Sequence, residues 1–409
     1  MHASSCDVVY CCYAFFANDD LAIHIDPKLS GTWLCALHDT TNMFGQIGVS
    51  WFVLISAYFL SARVNRMHIR ILKLWIQVEV FSICILALVA LLKYTDFLVS
   101  LERIYFIPRV LLTAVFPVLF GEYWFISAFV VMMLFAPFIN VVLDVMNRNQ
   151  VMALTGTMFF VTFIWKFINP GMNYFTDWGY LCSVYLVGAI IRRYVDTLPK
   201  FGLPSVIMIS VVCFIACTVV THTVRNSELL RVSLGYPINI ATAGGGASPL
   251  LSVIVAIVWF SYIERRCRET LPSEGTTGKI VLLLSPATLG IYLLHENPLL
   301  KTIFWPLIFG FARERHLSFP IVMSVSVLLI YCGALLISLL MNHILVVPLT
   351  SVVLRIVNRN DGKWAQLNNK YGFGFQKDEA KSDRSVMQEA ATGYQRGYSD
   401  KHVSLRTEN

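Results

Sequence analysis

Long, nearly charge-free runs alternate along this chain with short clusters of arginine and lysine. About 20 apolar residues match a hydrocarbon core about 30 Å thick. The pattern therefore predicts an all-α, polytopic transmembrane helical bundle of about ten spans. The expected spans are residues 6–17, 45–62, 71–92, 124–143, 151–169, 178–191, 206–221, 249–263, 280–294 and 319–345. The first is short and reads as a truncated helix. A polar loop covers 18–43, and a long connection covers 93–122, holding Pro108, Pro117 and an apolar stretch that reads as re-entrant. Asn169, Pro170 and Gly171 mark a turn, and Gly244, Gly245 and Gly246 sit in a polar loop. Residues 1–355 are expected to form the transmembrane domain, and 356–409 a polar, disordered cytoplasmic tail.

The basic clusters set the expected orientation. Arg63, Arg66, Arg70 and Lys73 follow the second span, Arg192 and Arg193 the sixth, and Arg265, Arg266 and Arg268 the eighth. With ten spans these clusters and the basic tail share one side, which the positive-inside rule makes cytoplasmic, with both termini there. The opposite loops still carry Lys93, Arg103, Arg109, Arg225, Arg231, Arg313 and Arg315, so the bias is moderate.

Composition sharpens this picture. Hydrophobic residues make up 56% of the 409 residues and charged ones 14%, the balance of a bilayer protein with little room for a separate soluble domain. The net charge of +7 lies beside apolar spans and in the tail, which fits topology and anionic lipid better than nucleic acid. Most of the 10 cysteines sit in apolar runs, and Cys84, Cys182, Cys213, Cys217 and Cys332 read as buried packing residues. Cys213 and Cys217 share a helix face without a nearby histidine or carboxylate, so no metal site is expected. No self-similar repeat joins the two halves, which weighs against a transporter.

Ionisable groups at bilayer depth are costly and therefore informative. Lys166 can snorkel to the interface. Glu79, with Gln77 nearby, either lines a polar cavity or pairs with a neighbouring helix. His295 is followed by Glu296, Asn297 and Pro298, placing an imidazole, a carboxylate and an amide where proline interrupts the backbone.

Four separated stretches resemble integral-membrane acyltransferase family three, which includes polysaccharide and peptidoglycan O-acetyltransferases. Residues 45–59 end in Ser56-Ala57-Tyr58-Phe59, with alanine at 57 where the family usually has glycine. Glu122-Tyr123-Trp124-Phe125 continues to Pro137-Phe138-Ile139-Asn140. Tyr185-Leu186-Val187-Gly188-Ala189-Ile190-Ile191-Arg192 is the third stretch, and Ser285 to Pro298, containing Tyr292-Leu293-Leu294-His295, is the fourth and most specific. The resemblance implies transfer of an acyl group, commonly acetyl from acetyl-CoA, to a hydroxyl of a cell-envelope glycan in the plasma membrane. The acyl-CoA would be a donor substrate, with no bound cofactor.

Such chemistry needs a base or an acyl-carrying nucleophile, and cations for the CoA phosphates. His295 suits the first role. Arg63, Arg66, Arg70 and Lys73 are candidates for the second, besides being topology determinants. Trp124 and Ser127, three residues apart on one helix face, are candidates for the acceptor groove, together with Tyr292, Asn297 and Glu79. The family's first span usually carries a catalytic histidine and an upstream arginine. In this chain Cys11 and Cys12 stand at the histidine positions, and the arginine would fall before Met1. A truncated or divergent start, a thiol that carries the acyl group, and loss of activity are the competing explanations. Cys11 and Cys12 are thus catalytic candidates beside their reading as packing residues. Transport of a glycan-related substrate, motivated by Glu79, is the alternative function.

Overall fold

Among the described residues the regular secondary structure is helical, with no strand. The computed structural model describes residues 32–61, 67–95, 108–169, 176–236, 247–269, 284, 287–301, 303 and 319–357. The chain divides into two units, Met1–Thr350 and Ser351–Asn409; of the second, the described residues 351–357 are helical. The expected first span at 6–17, with Cys11 and Cys12, lies outside the described residues, as do Arg63, Arg66 and the tail from 358.

The helices are α1 (Trp33–Thr40), α2 (Asn42–Leu60), α3 (Met67–Tyr94), α4 (Pro108–Val115), α5 (Trp124–Val145) and α6 (Arg148–Phe159). After α6 a π-helical turn, Phe160–Ile164, leads into Trp165–Ile168. There follow α7 (Asp177–Tyr194), α8 (Leu203–Asn226), α9 (Ala247–Glu269), α10 (Thr288–His295) and α11 (Phe319–Met341), the last running into a second π turn, Asn342–Val346. Local chemistry sets several boundaries. Asn147 and Gln150 form a capping box before α6, and the Thr176 hydroxyl accepts from Gly179 N at the start of α7.

Six stretches among the described residues are long and apolar enough to cross a membrane: Cys35–Leu60, Met67–Tyr94, Trp124–Val145, Arg148–Ile168, Leu203–Asn226 and Val325–Val357. They correspond to the second, third, fourth, fifth, seventh and tenth expected spans. The sixth and eighth are the helices α7 and α9, which carry charge at their ends, and α7 buries most of its surface against protein. A helix shielded from lipid by neighbours has less need of continuous hydrophobicity. The ninth is represented by the short α10.

The expected loop at 18–43 is helical from Trp33. Its polar residues are held within the protein: the Asp39 carboxylate pairs with Arg225 of α8, both side chains nearly buried, and the Trp33 ring stacks on His222 at 3.7 Å. Neutralising the acid by a facing arginine lets the helix run through a polar sequence.

The core is organised around α2, which packs against both α7 and α9. Its crossing with α7 is close because Gly188 has no side chain: a Cβ there would stand 2.6 Å from the Ala57 Cβ and 3.1 Å from the Leu54 carbonyl oxygen. The alanine at 57, unusual in the resemblance, is accommodated by the glycine opposite. Hydrogen bonds reinforce the crossings: Ser50 Oγ to Tyr180 Oη at 2.7 Å, and Trp51 Nε1 donating to the Ala256 carbonyl at 3.1 Å. Asn140 donates to the Leu60 carbonyl at 3.1 Å and accepts from the Tyr185 hydroxyl at 2.9 Å. That one amide joins the end of the second stretch to the start of the third and to the residue that follows the first.

Among the cysteines, Cys182, Cys213 and Cys217 are buried as expected. Cys84 is only half-buried and Cys332 is exposed, contrary to the packing role read from the sequence. An apolar run does not say which side of its helix faces lipid, and cysteine is apolar enough for either.

Candidate active site

α10 is placed by a close approach on two sides. A Cβ on Gly290 would lie 2.6 Å from Phe81 Cζ of α3 and would also collide with the Ser338 side chain of α11. Ser338 Oγ donates to the Ala287 carbonyl at 2.7 Å, and Gln77 of α3 donates to Asn342 Oδ1 at 3.2 Å. Glycine and serine thus let three helices meet and bind them through polar contacts.

His295 closes this helix and is 3% exposed. Its Nδ1 lies 2.6 Å from the Ile291 carbonyl oxygen, one turn back. A carbonyl only accepts, so Nδ1 carries the hydrogen, and the neutral ring presents a lone pair at Nε2. That nitrogen is 3.8 Å from Glu296 Oε1. Glu296 is 8% exposed, and its other oxygen, Oε2, accepts from Lys301 Nζ at 2.5 Å. The ring of Tyr292 meets the imidazole edge-on at 6.0 Å, with Phe125 and Tyr123 behind it at 5.7 and 6.0 Å. The histidine therefore faces neither lipid nor a wholly apolar wall.

Asn297 serves the architecture of this corner. Its Oδ1 accepts from Leu299 N at 3.0 Å and Leu300 N at 3.3 Å, starting the helical turn that follows Pro298. Its Nδ2 donates to the Tyr123 hydroxyl at 2.8 Å, and that hydroxyl donates to the Leu293 carbonyl at 3.2 Å. Tyr123 thereby fastens the start of α5 to the end of α10. Its functional weight escaped the sequence reading, although it stands beside Trp124 in the same motif. Lys301 was missed because its link to Glu296 depends on the Pro298 corner.

The other candidates are more dispersed. Trp124 is half-buried at the first position of α5 and meets Phe125 edge-on at 6.0 Å. Ser127 donates its hydroxyl to the Val118 carbonyl at 2.8 Å, tying α5 to the preceding turn. Glu79, half-buried, accepts from Trp75 Nε1 at 2.8 Å on its own helix. Arg70 and Lys73 lie in the first two turns of α3, half-buried and exposed respectively.

The end of α2 adds a polar cluster that the sequence did not disclose. Tyr58 donates to Glu264 Oε1 at 2.9 Å, Arg268 pairs with the same carboxylate, and the Arg192 guanidinium lies 4.5 Å over the Tyr58 ring. Residues from the first and third motif stretches thus meet at one basic end of the bundle. No group of three histidine, cysteine or acidic side chains able to hold a metal occurs among the described residues.

The family described as an acyltransferase domain, acyltransferase family 3, matches residues 11–343. The chain belongs to acyltransferase family 3. The match covers α1 to α11 and takes in His295, Tyr123 and the Tyr58 cluster. No curated protein and no solved structure matches the chain. The roles of individual residues in this family member therefore rest on the geometry above.

Proposed function

We propose that this membrane acyltransferase moves an acetyl or other acyl group from acyl-CoA to a hydroxyl of a cell-envelope glycan. The observation that carries the reading is the fixed tautomer of His295: with Nδ1–H engaged by the Ile291 carbonyl, Nε2 is set up as a proton acceptor in a buried corner. His295 Nε2 takes the proton of the acceptor hydroxyl as the oxygen attacks the thioester carbonyl carbon. The C–S bond then breaks, the ester forms, and the proton returns to the CoA thiolate. The carboxylate of Glu296 stands 3.8 Å from the nitrogen that becomes positive, which favours the imidazolium electrostatically.

The basic end of the bundle suits the phosphates of the donor. Arg63, Arg66, Arg70 and Lys73 remain the proposed contacts, and Arg192 and Arg268, gathered around Tyr58, extend that patch. On this reading the basic end faces the cytoplasm of a plasma-membrane protein, where acyl-CoA is found.

Purified protein in detergent or vesicles, incubated with labelled acetyl-CoA and glycan fragments, tests the proposal. Transfer that falls by about 100-fold or more in His295→Gln agrees with a general base. Full transfer by that variant refutes the role given to His295, and transfer abolished by Cys11→Ala or Cys12→Ala would assign the acyl group to a thiol.

A further inference from the structure

Tyr58, at the end of α2, holds two guanidinium groups at once. The Arg192 guanidinium, from the last turn of α7, lies 4.5 Å over its ring, and Arg268 Nη2, from the end of α9, donates to its hydroxyl at 3.5 Å. The same hydroxyl donates to Glu264 Oε1 at 2.9 Å, and that oxygen also accepts from Arg268 Nε. One buried carboxylate therefore fastens Tyr58 and Arg268 together and neutralises one of the two cations. Arg192 is half-buried, and among the described residues its guanidinium meets only the face of that ring, with no hydrogen bond or ion pair for its N–H groups. Its neighbours are engaged elsewhere: Arg193 pairs with Asp144, and Arg265 donates to the Val195 and Leu198 carbonyls.

Cation–π attraction fixes where a guanidinium lies without occupying a carbonyl or carboxylate, so its fork of donors stays available to an anion. Two arginines set on one tyrosine, with a single carboxylate between them, leave one positive charge in excess. Guanidinium donors match phosphate oxygens in geometry as well as charge. We infer that Tyr58 is a positioning residue for the donor: its ring and hydroxyl hold Arg192 and Arg268 in place for the phosphates of acyl-CoA. A tyrosine of the first motif stretch thus governs donor affinity through the two arginines and without touching the donor. The inference rests on the proposed transferase reading. An anionic lipid headgroup offers the same phosphate chemistry, and the experiment separates the two sources.

The test compares kcat/KM of detergent-solubilised full-length protein for acetyl-CoA and for acetyl-pantetheine, which has the same thioester and no phosphate, with glycan fragments as acceptors. Wild-type protein is expected to favour acetyl-CoA by about 100-fold or more, the size of two hydrogen-bonded contacts between charged groups. Tyr58→Leu removes ring and hydroxyl and should lower that preference about tenfold, through KM for acetyl-CoA rather than kcat. In an Arg192→Gln, Arg268→Gln background the same change should have no further effect, because Tyr58 acts through those arginines. Tyr58→Phe keeps the ring under Arg192 and loses only the contact with Arg268, so the preference falls a few-fold, and not at all beside Arg268→Gln. An unchanged preference in Tyr58→Leu overturns the inference; if leucine fails to fold, an unchanged preference in Tyr58→Phe does so. Equal use of both donors by the wild type also overturns it, and acyl transfer itself stands in each of these cases. The assays run without lipid and again with phosphatidylglycerol: a Tyr58 effect present only with the lipid assigns the arginines to a headgroup and overturns the inference. No transfer from either donor by the wild type overturns both readings.

Discussion

Replacing Asn297 by alanine removes three hydrogen bonds from a side chain that is 1% exposed. Loss of the two accepted from Leu299 N and Leu300 N is loss of a helix-start cap, worth about 1 kcal/mol. Loss of the bond to Tyr123 removes one buried contact, about 1 kcal/mol more. The expected destabilisation is about 2 kcal/mol. Tyr123→Phe is expected to cost about 1–2 kcal/mol, since it strands Asn297 Nδ2 and frees the Leu293 carbonyl. The two losses share the 2.8 Å contact, so the double variant falls short of their sum by about 1 kcal/mol. Reversible unfolding of purified protein in mixed detergent micelles, followed by tryptophan fluorescence, measures all four corners of this cycle. Strict additivity, within about 0.3 kcal/mol, would refute the coupling of α5 to the α10 corner. A stable Asn297→Ala that instead raises KM for the acceptor would return Asn297 to the substrate-binding role suggested by its sequence position.

Gly188→Ala forces a Cβ to within 2.6 Å of Ala57 and is expected to destabilise by about 1–3 kcal/mol; Ala57→Gly in the same chain should restore much of it, which thermal unfolding of the double variant reads directly. Asp39→Asn leaves the nearly buried Arg225 charge without its counter-ion and should cost about 3 kcal/mol or more, whereas the further change Arg225→Met recovers part of the loss in the same assay. Glu122, in the turn before α5, has its carboxyl pushed above the ordinary value by burial, partly opposed by a hydrogen bond with Thr113. The folded protein thus holds this proton more tightly than the unfolded chain. Its contribution to stability declines as pH rises from about 4.5 through the raised folded value, then levels off, and Glu122→Gln should remove that slope from melting temperatures measured between pH 4 and 8.

The all-helical membrane class, most helix positions and the ordered motif stretches were legible in the sequence because hydrophobic length and basic clusters are local properties. So was the position of His295 at a helix end, marked by the proline that follows it at 298. The sequence could not say that residues 33–40 form a helix, because the counter-charge for Asp39 is Arg225, 186 positions away. Nor could it choose between a ligand-binding and an architectural Asn297. Its architectural contact comes from Tyr123, brought to it where the start of α5 meets the end of α10. The gathering of Tyr58, Arg192, Glu264 and Arg268 is likewise a product of tertiary structure. Hydrogen bonds and ion pairs need partners within about 3–4 Å, and only the folded bundle fixes which distant residues come that close.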